Sequence, residues 1–485
     1  MIKGFSILSC VHQSVTPETS PNEAFNWRLR EASIKLNRFG VWAALAGFLT
    51  GLIGGGFRRL VDQVMNTRLL FLNSFTNSFL IEALISILFS SVMVFLGFWL
   101  MRRLAPETNG SGIPQIEGFL DGNLSLRGKR IVPVKFVTGI LILGSGMILG
   151  REGPTIQMGG GIGQLVGEQI RGNKEQIRIL VAASSGAGLA AAFMAPLAGI
   201  FFVIEEMHPR FQNPVSAYRA VAFACIMAVI GSKLVIDEPV LELKIYDAPP
   251  LASAWIFVLL GISLGCLGYL FNQGLIASLN FLGRLQGHWH RLMGLYIGGL
   301  VGLLSCIYFP TLANYPHFEH PIVGGGERTI VWSLTADEPT LILGGLLILR
   351  FGLTLLCYGS GSPGGIFAPL LSIGTLFSQG MARLFHSYFP EWLPEPGLLT
   401  IAGMGGLVAA TVRAPLTAIL LTLEITGNYK LTIPLMITIL TAVIMAHQLG
   451  GKPIYTSLLE RILSNQPKVS QDNHSATRSR IGNRE

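Results

Sequence analysis

Residues 83–101 (ALISILFSSVMVFLGFWLM) run for 19 residues without a charge and stop at Arg102 and Arg103. A helix needs about 20 apolar residues to cross the hydrocarbon core of a bilayer, so this segment reads as a spanning helix. Residues 431–450 form a second such run, and 39–57, 220–236, 251–282 and 292–313 read the same way. Apolar runs fill most of residues 39–450, and only 13% of the chain is charged, against about 25% in soluble domains. The 485 residues therefore read as one membrane domain, not as several soluble ones.

Four further apolar stretches, 132–167, 179–205, 334–377 and 398–425, are interrupted by Gly150, Gly153 and Pro154, by Pro196, by Pro363, Gly364, Gly365 and Pro369, and by Pro415. Such residues end helices. Non-helical backbone inside a bilayer must be shielded by protein or line a cavity, so these stretches read as broken helices meeting within the membrane, an arrangement typical of transport proteins. Glycine is frequent, 58 of 485 residues, which lets membrane helices approach closely.

The breaks recur. AAxxxAPLxxIxxxxE begins at Ala190 and again at Ala409, an offset of 219 that pairs Pro196 with Pro415, Ile200 with Ile419 and Glu205 with Glu424. At an offset of 211, Gly150, Gly153, Ile162, Gly163 and Leu165 pair with Gly361, Gly364, Ile373, Gly374 and Leu376. Two similar offsets in the same order point to one duplicated unit, roughly 39–245 and 250–464, between a polar N-terminal segment (1–38) and a polar tail (465–485). Residues after Tyr455 are too few for an appended regulatory domain of usual size, so none is expected. Repeated halves with interrupted helices point to a site at their interface.

The formal charge is +8. Arg28, Arg30, Lys35 and Arg38, and again Arg127, Lys129, Arg130 and Lys135, read as short loop clusters that set topology and place the N-terminus in the cytoplasm. No basic stripe interleaved with aromatics points to nucleic acid. Four of the five cysteines lie in apolar runs at no metal-ligand spacing. His288, His290, His317 and His320 read as loop residues, and no metal or cofactor is expected.

Five local patterns carry chemistry. GSGIP (Gly110, Ser111, Gly112, Ile113, Pro114) is a tight turn opening a helix, whose free N–H groups attract anions; on its own the motif is better explained as a serine N-cap. GREGP places Arg151 and Glu152 between Gly150 and Gly153 in an apolar setting, where ionisable residues are costly and functional by default. Ionised, Glu152 would compete with an anion for the same N–H groups; protonated, it would leave. GSPGGIFAP (361–369) offers the amides of Ile366 and Phe367 at another helix start. Glu205 and Glu206 end an apolar run and point to different faces, so they have different jobs. Tyr455 supplies one neutral hydroxyl donor suited to an anion, although taken alone it reads rather as an interfacial aromatic anchor. GAGLAA (186–191) lacks the preceding strand of a phosphate loop, and a hydrolase would need Ser111 or Ser362 activated by His447, which nothing in the sequence brings together.

GSGIP, GREGP and GxFAP (365–369), followed by the late tyrosine, resemble in order and spacing the CLC family of chloride channels and proton-coupled chloride transporters, prokaryotic type without CBS domains. The likeness covers about residues 35–465. It implies an all-α integral membrane, CLC-type fold of two inverted repeats with many tilted and broken helices, and a homodimer with one anion pathway per subunit. It implies Ser111 and Tyr455 as hydroxyl ligands of the anion, Ile366 and Phe367 as amide donors, Glu152 as the external gate and Glu206 as the internal proton carrier. Gly110, Gly112, Arg151 and Gly153 support the site. The internal acid implies exchange of two chlorides for one proton rather than channel behaviour, and Ser111 a preference for chloride over nitrate. The expected location is the bacterial cytoplasmic membrane, both termini inside.

Overall fold

The computed structural model describes residues 21–73, 79–207, 211–212, 214–241, 243–306, 322–335 and 339–465. Seventeen α-helices account for nearly all of their regular structure, with a single isolated β-bridge, between Gly150 and Gly365. The first half holds α1 (Pro21–Asn73), α2 (Phe79–Leu104), α3 (Ile113–Leu120), α4 (Gly128–Gly144), α5 (Glu152–Gln169), α6 (Lys174–Phe193), α7 (Pro196–Glu205) and α8 (Pro214–Lys233). The second holds α9 (Ala254–Gly283), α10 (Gly287–Leu304), α11 (Glu327–Thr335), α12 (Thr340–Gly359), α13 (Phe367–Tyr388), α14 (Pro396–Val412), α15 (Pro415–Thr426), α16 (Thr432–Gln448) and α17 (Ile454–Ser464).

Among the described residues, seven segments are long and apolar enough to cross a membrane, including Leu80–Leu104, Leu251–Gly283 and Tyr429–Gln448. Each run read as a plain span falls on one helix: α1, α2, α8, α9, α10 or α16. The end of the 292–313 run lies outside the described residues, as do residues 1–20, the tail beyond 465, His317 and His320. α1 continues helical from Pro21 through residue 38. The four punctuated stretches are broken where their Gly and Pro residues stand. α6 ends on Met194 (φ 55°) before Pro196 opens α7, and α14 ends on Arg413 (φ 72°) before Pro415 opens α15. These two left-handed caps, rare for residues with a side chain, are equivalent positions of the sequence repeat.

The packing repeats as well. α1 lies on α8 as α9 lies on α16, α5 on α6 as α13 on α14, and α4 on α5 as α12 on α13. Close approach depends on small residues: a Cβ on Gly47 or Gly51 would stand 2.2 or 2.1 Å from a backbone oxygen of α8. Across the halves, α2 packs on α10 and α7 on α15.

The α7–α15 contact sets the relation between the halves. Glu205, ending α7, accepts hydrogen bonds from Leu416 N (2.9 Å), Thr417 N (2.7 Å) and Thr417 Oγ1 (2.8 Å) at the start of α15. Glu424, in the last turn of α15, accepts from Leu197 N (3.0 Å) and Ala198 N (2.8 Å) at the start of α7. Each acid caps the orphan amides of its partner helix. Two helices that cap each other's starts run antiparallel, and because α7 and α15 are equivalents, the repeats are inverted.

Two readings of the sequence need correction. Lys135 is not a loop charge: it is fully buried inside α4, while Arg127, Lys129 and Arg130 stand at that helix's start. His288 and His290 are on the exposed first turn of α10, not in a loop.

Candidate anion site

The three glycine-rich motifs are hydrogen-bonded to one another. Gly150 N donates to Gly365 O (2.9 Å), Gly365 N returns a bond to Gly150 O (2.7 Å), Gly364 N donates to Gly110 O (3.1 Å) and Gly110 N to Gly361 O (3.4 Å). GREGP, GSPGGIFAP and GSGIP thus close one junction in the middle of the fold, from which α3, α5 and α13 all start. Gly112 takes a left-handed φ of 90° as the N-cap of α3, and a Cβ there would strike the Gln157 side chain at 2.4 Å. A Cβ on Gly153 would stand 2.9 Å from the Cα atoms of both Gly365 and Ser111, so only glycine lets the three loops meet.

Glu152 is fully buried in this junction. Its Oε1 accepts the Phe367 N–H at 2.7 Å, at the start of α13, with the amide of Ala368 also facing the carboxylate. The group thus sits on the free amides of a helix start, where an anion would bind. Gly150 and Gly365 leave it room, since a Cβ on either would lie within 2.1 Å of a carboxylate oxygen. Ile366 is the N-cap of α13. The Phe367 ring lies 6.2 Å from that of Tyr455, nearly parallel. Tyr455 is completely buried and its hydroxyl has no protein hydrogen-bond partner, and a buried donor without a partner costs about 1–3 kcal/mol. Ser111, also buried, receives the Ile113 N–H on its hydroxyl (3.3 Å) and lies against Gly153. The junction thus holds one backbone amide, two hydroxyls and a carboxylate, all buried, and amides and hydroxyls are the donor types that suit a small dehydrated anion.

Arg151, the residue before Glu152, turns away. It pairs with Asp62 of α1 and Glu327 of α11, each at 3.4 Å, beside a small cavity lined by Leu149, Gly324 and Gly325.

Glu206 stands at the other end of a short apolar path. Its N–H bonds to Phe202 O (3.0 Å) one turn back on α7, and the Phe202 ring meets that of Phe367 edge-on at 5.9 Å. The buried Glu206 carboxyl is hydrogen-bonded to that of Glu117 on α3. A bond between two carboxyls requires a proton on one of them. Glu205 points elsewhere, into its cap on α15.

The sequence did not single out three residues of this region. Lys135 Nζ donates to Thr108 O (2.8 Å) and Gly110 O (2.7 Å), setting a buried amino group under the GSGIP turn; its signal was a lone ionisable residue in the apolar run 131–149. Glu117 meets Glu206. Tyr358, near the end of α12, bonds Ser111.

Fold and site together define a polytopic membrane protein with a buried, glycine-rich helix junction at its centre, on which a carboxylate rests against the free amides of a helix start. The chain belongs to the family described as voltage gated chloride channel, whose model matches residues 92–447. It is 45% identical over 433 residues to the H(+)/Cl(-) exchange transporter ClcA of Vibrio cholerae, covering 88% of this chain and 90% of that protein. It is 42% identical to ClcA of Salmonella paratyphi A over 87% of this chain and 88% of that one. A crystal structure of a slow cyanobacterial Cl-/H+ antiporter superposes with a TM-score of 0.84 at 46% identity, over 88% of this chain and 99% of the other.

Proposed function

We propose that this protein exchanges chloride for protons across a membrane. The observation that carries the proposal is the buried Glu152 carboxylate on the Phe367 amide at 2.7 Å: one set of N–H donors serves either a fixed carboxylate or a mobile anion. The similarity to proteins named H(+)/Cl(-) exchange transporters over most of the chain supports the same reading.

In this mechanism chloride rests among the hydroxyls of Ser111 and Tyr455 and the amides of Ile366 and Phe367. Ionised Glu152 displaces it; a proton arriving on Glu152 releases the carboxylate and opens the path. That proton comes from the opposite side through Glu206, which exchanges it with Glu117 and passes it beside the Phe202 and Phe367 rings. Arg151, Gly110, Gly112 and Gly153 hold the loops in register. The exchange moves two chlorides per proton. The protein works as a homodimer with one pathway per subunit in the bacterial cytoplasmic membrane, both termini inside. Residues 39–464 form the transport domain between a cytoplasmic segment (1–38) and a tail (465–485). Neither transported ion is chemically transformed, so the protein acts as a transporter and not as an enzyme, and it requires no cofactor.

The test is reconstitution into liposomes with a chloride gradient and no proton gradient. Proton pumping is the expected result. Chloride flux without proton movement would make the protein a passive channel of the same fold.

A further inference from the structure

Tyr455 sits in the junction without being held there by its own hydroxyl, which has no protein partner. Its place is therefore inherited from its backbone and from its contact with the Phe367 ring. Tyr455 is the second residue of α17, and a short irregular loop, residues 449–453, leads into that helix from α16. Two side chains from other elements hold the loop. Arg413, which caps the end of α14, donates from its three guanidinium nitrogens to Ala410 O (3.0 Å), to Val443 O of α16 (3.2 Å) and to Gly451 O (3.2 Å). Asn272, buried in α9, donates from Nδ2 to Thr411 O near the end of α14 (3.0 Å) and to Lys452 O (3.1 Å). Two consecutive carbonyls of the loop, just ahead of Tyr455, are thus tied down.

We propose that Arg413 and Asn272 are positioning residues for the anion site: by fixing the Gly451 and Lys452 carbonyls they set how far α17 carries the Tyr455 side chain into the junction. The repeat separates this task from a purely local one. Met194 stands at the position equivalent to Arg413 and ends α6 with the same left-handed cap, φ 55° against 72°. A guanidinium is therefore not needed for the cap. What the second half has in addition is α17, which follows the last repeated helix, and Arg413 reaches both α16 and the loop that joins α16 to it. An arginine fork suits the task, because its fixed plane offers donors to several carbonyls at once. Asn272 has the same property on a smaller scale, with one NH2 group serving carbonyls of two segments. The loop lies close to its clamp: a Cβ on Gly451 would stand 3.0 Å from the Tyr269 ring and 3.5 Å from the Arg413 guanidinium. At the far end of α17, Arg461 donates to Asn280 Oδ1 (3.2 Å) and Leu279 O (3.0 Å). The helix is thus held against α9 at both ends, and the depth of Tyr455 follows from its backbone.

Both residues act through Tyr455, so this inference rests on the exchange reading, in which Tyr455 is a chloride ligand. Arg413→Met copies the residue of the equivalent position, so it keeps the cap and removes the clamp. Chloride binding by isothermal titration in detergent should weaken by roughly tenfold, a size usual for residues that act through one another. In a Tyr455→Ala background the same substitution should change binding by less than about twofold, because the side chain it positions is gone. A residue that only stabilised the fold would weaken both backgrounds alike. Where the alanine background binds too weakly to titrate, the same comparison is read from chloride efflux rates in liposomes. If Arg413→Met does not purify folded, Asn272→Leu removes the other half of the clamp and carries the same pair of expectations. Unchanged chloride binding in a folded variant would overturn the inference, as would an equal loss in both backgrounds. If Tyr455→Ala alone binds chloride as the wild type does, the ligand assignment of the exchange reading fails instead, and the clamp has nothing to position.

Discussion

Replacing Glu152 by glutamine tests the competition at the centre of the site. The wild-type carboxylate holds the Phe367 N–H at 2.7 Å at the start of α13. A hydrogen bond to a charged group is worth about 1.5–3 kcal/mol, against about 0.5–1.5 for a neutral one. The helix start adds about 0.3–1 kcal/mol for a negative charge, more when partly buried. Glutamine keeps the size and an oxygen but forfeits the charge, so its hold on the amides is weaker by about 1–3 kcal/mol. Chloride competes for those amides, so its affinity should rise by roughly 5- to 150-fold, tenfold for each 1.4 kcal/mol. Isothermal titration in detergent at pH 7.5 measures the change. The same titration at pH 5 should show the wild type binding chloride more tightly than at pH 7.5, because a protonated Glu152 no longer competes, while the variant stays flat. In liposomes the variant should pass chloride and pump no protons. Unchanged affinity together with wild-type proton pumping would refute the argument.

The adjacent acids of α7 should separate by assay. Glu205→Gln breaks the cap on α15 and should lower the unfolding temperature in detergent, by the about 1–2 °C that a loss of about 1–2 kcal/mol implies for a chain of this length, while proton pumping persists. Glu206→Gln should stop proton pumping and leave chloride flux, with little change in unfolding temperature; intact pumping would show that another acid carries the proton. Lys135→Met removes the donor that holds Thr108 O and Gly110 O and so loosens the GSGIP turn; chloride binding by calorimetry should weaken by roughly tenfold, the equivalent of about 1.4 kcal/mol, and unchanged binding would confine Lys135 to folding.

Much of this was legible in the sequence because membranes punish exceptions. Uncharged runs of spanning length became helices, and every Gly–Pro interruption became a helix end, since backbone in lipid has few alternatives. The cost of a charge in lipid also singled out Glu152. The same reasoning applied to Lys135, whose neighbours from 131 to 149 carry no charge; its nearness to Arg127, Lys129 and Arg130 hid it, because a cluster is read as a loop before its members are placed. Tyr358 left no such trace. In LLCYG a tyrosine reads as one more core aromatic, and only the fold brings its hydroxyl to Ser111, 247 residues away. Glu117 became significant when α3 met the end of α7. The repeat announced equivalent positions without their directions, so Glu205 and Glu424 stayed without a role until the structure crossed them.

Inversion is what turns a duplicated helix start into a site. α5 and α13 are equivalent helices, and each presents at its start N–H groups that no residue of its own helix can satisfy. Had the second half repeated the first in the same direction, both starts would face the same surface of the membrane, each needing its own shield. In the inverted arrangement the starts approach from opposite sides and meet at the bridge between Gly150 and Gly365. A side chain from one start can then reach the amides of the other, as Glu152 does with Phe367. The positive ends of two half-helices fall on one point deep in the protein, where a small anion is the natural ligand. The acid competing for that point comes from one of those same helices. In the proposed exchange, anion release and protonation would therefore meet at this one point.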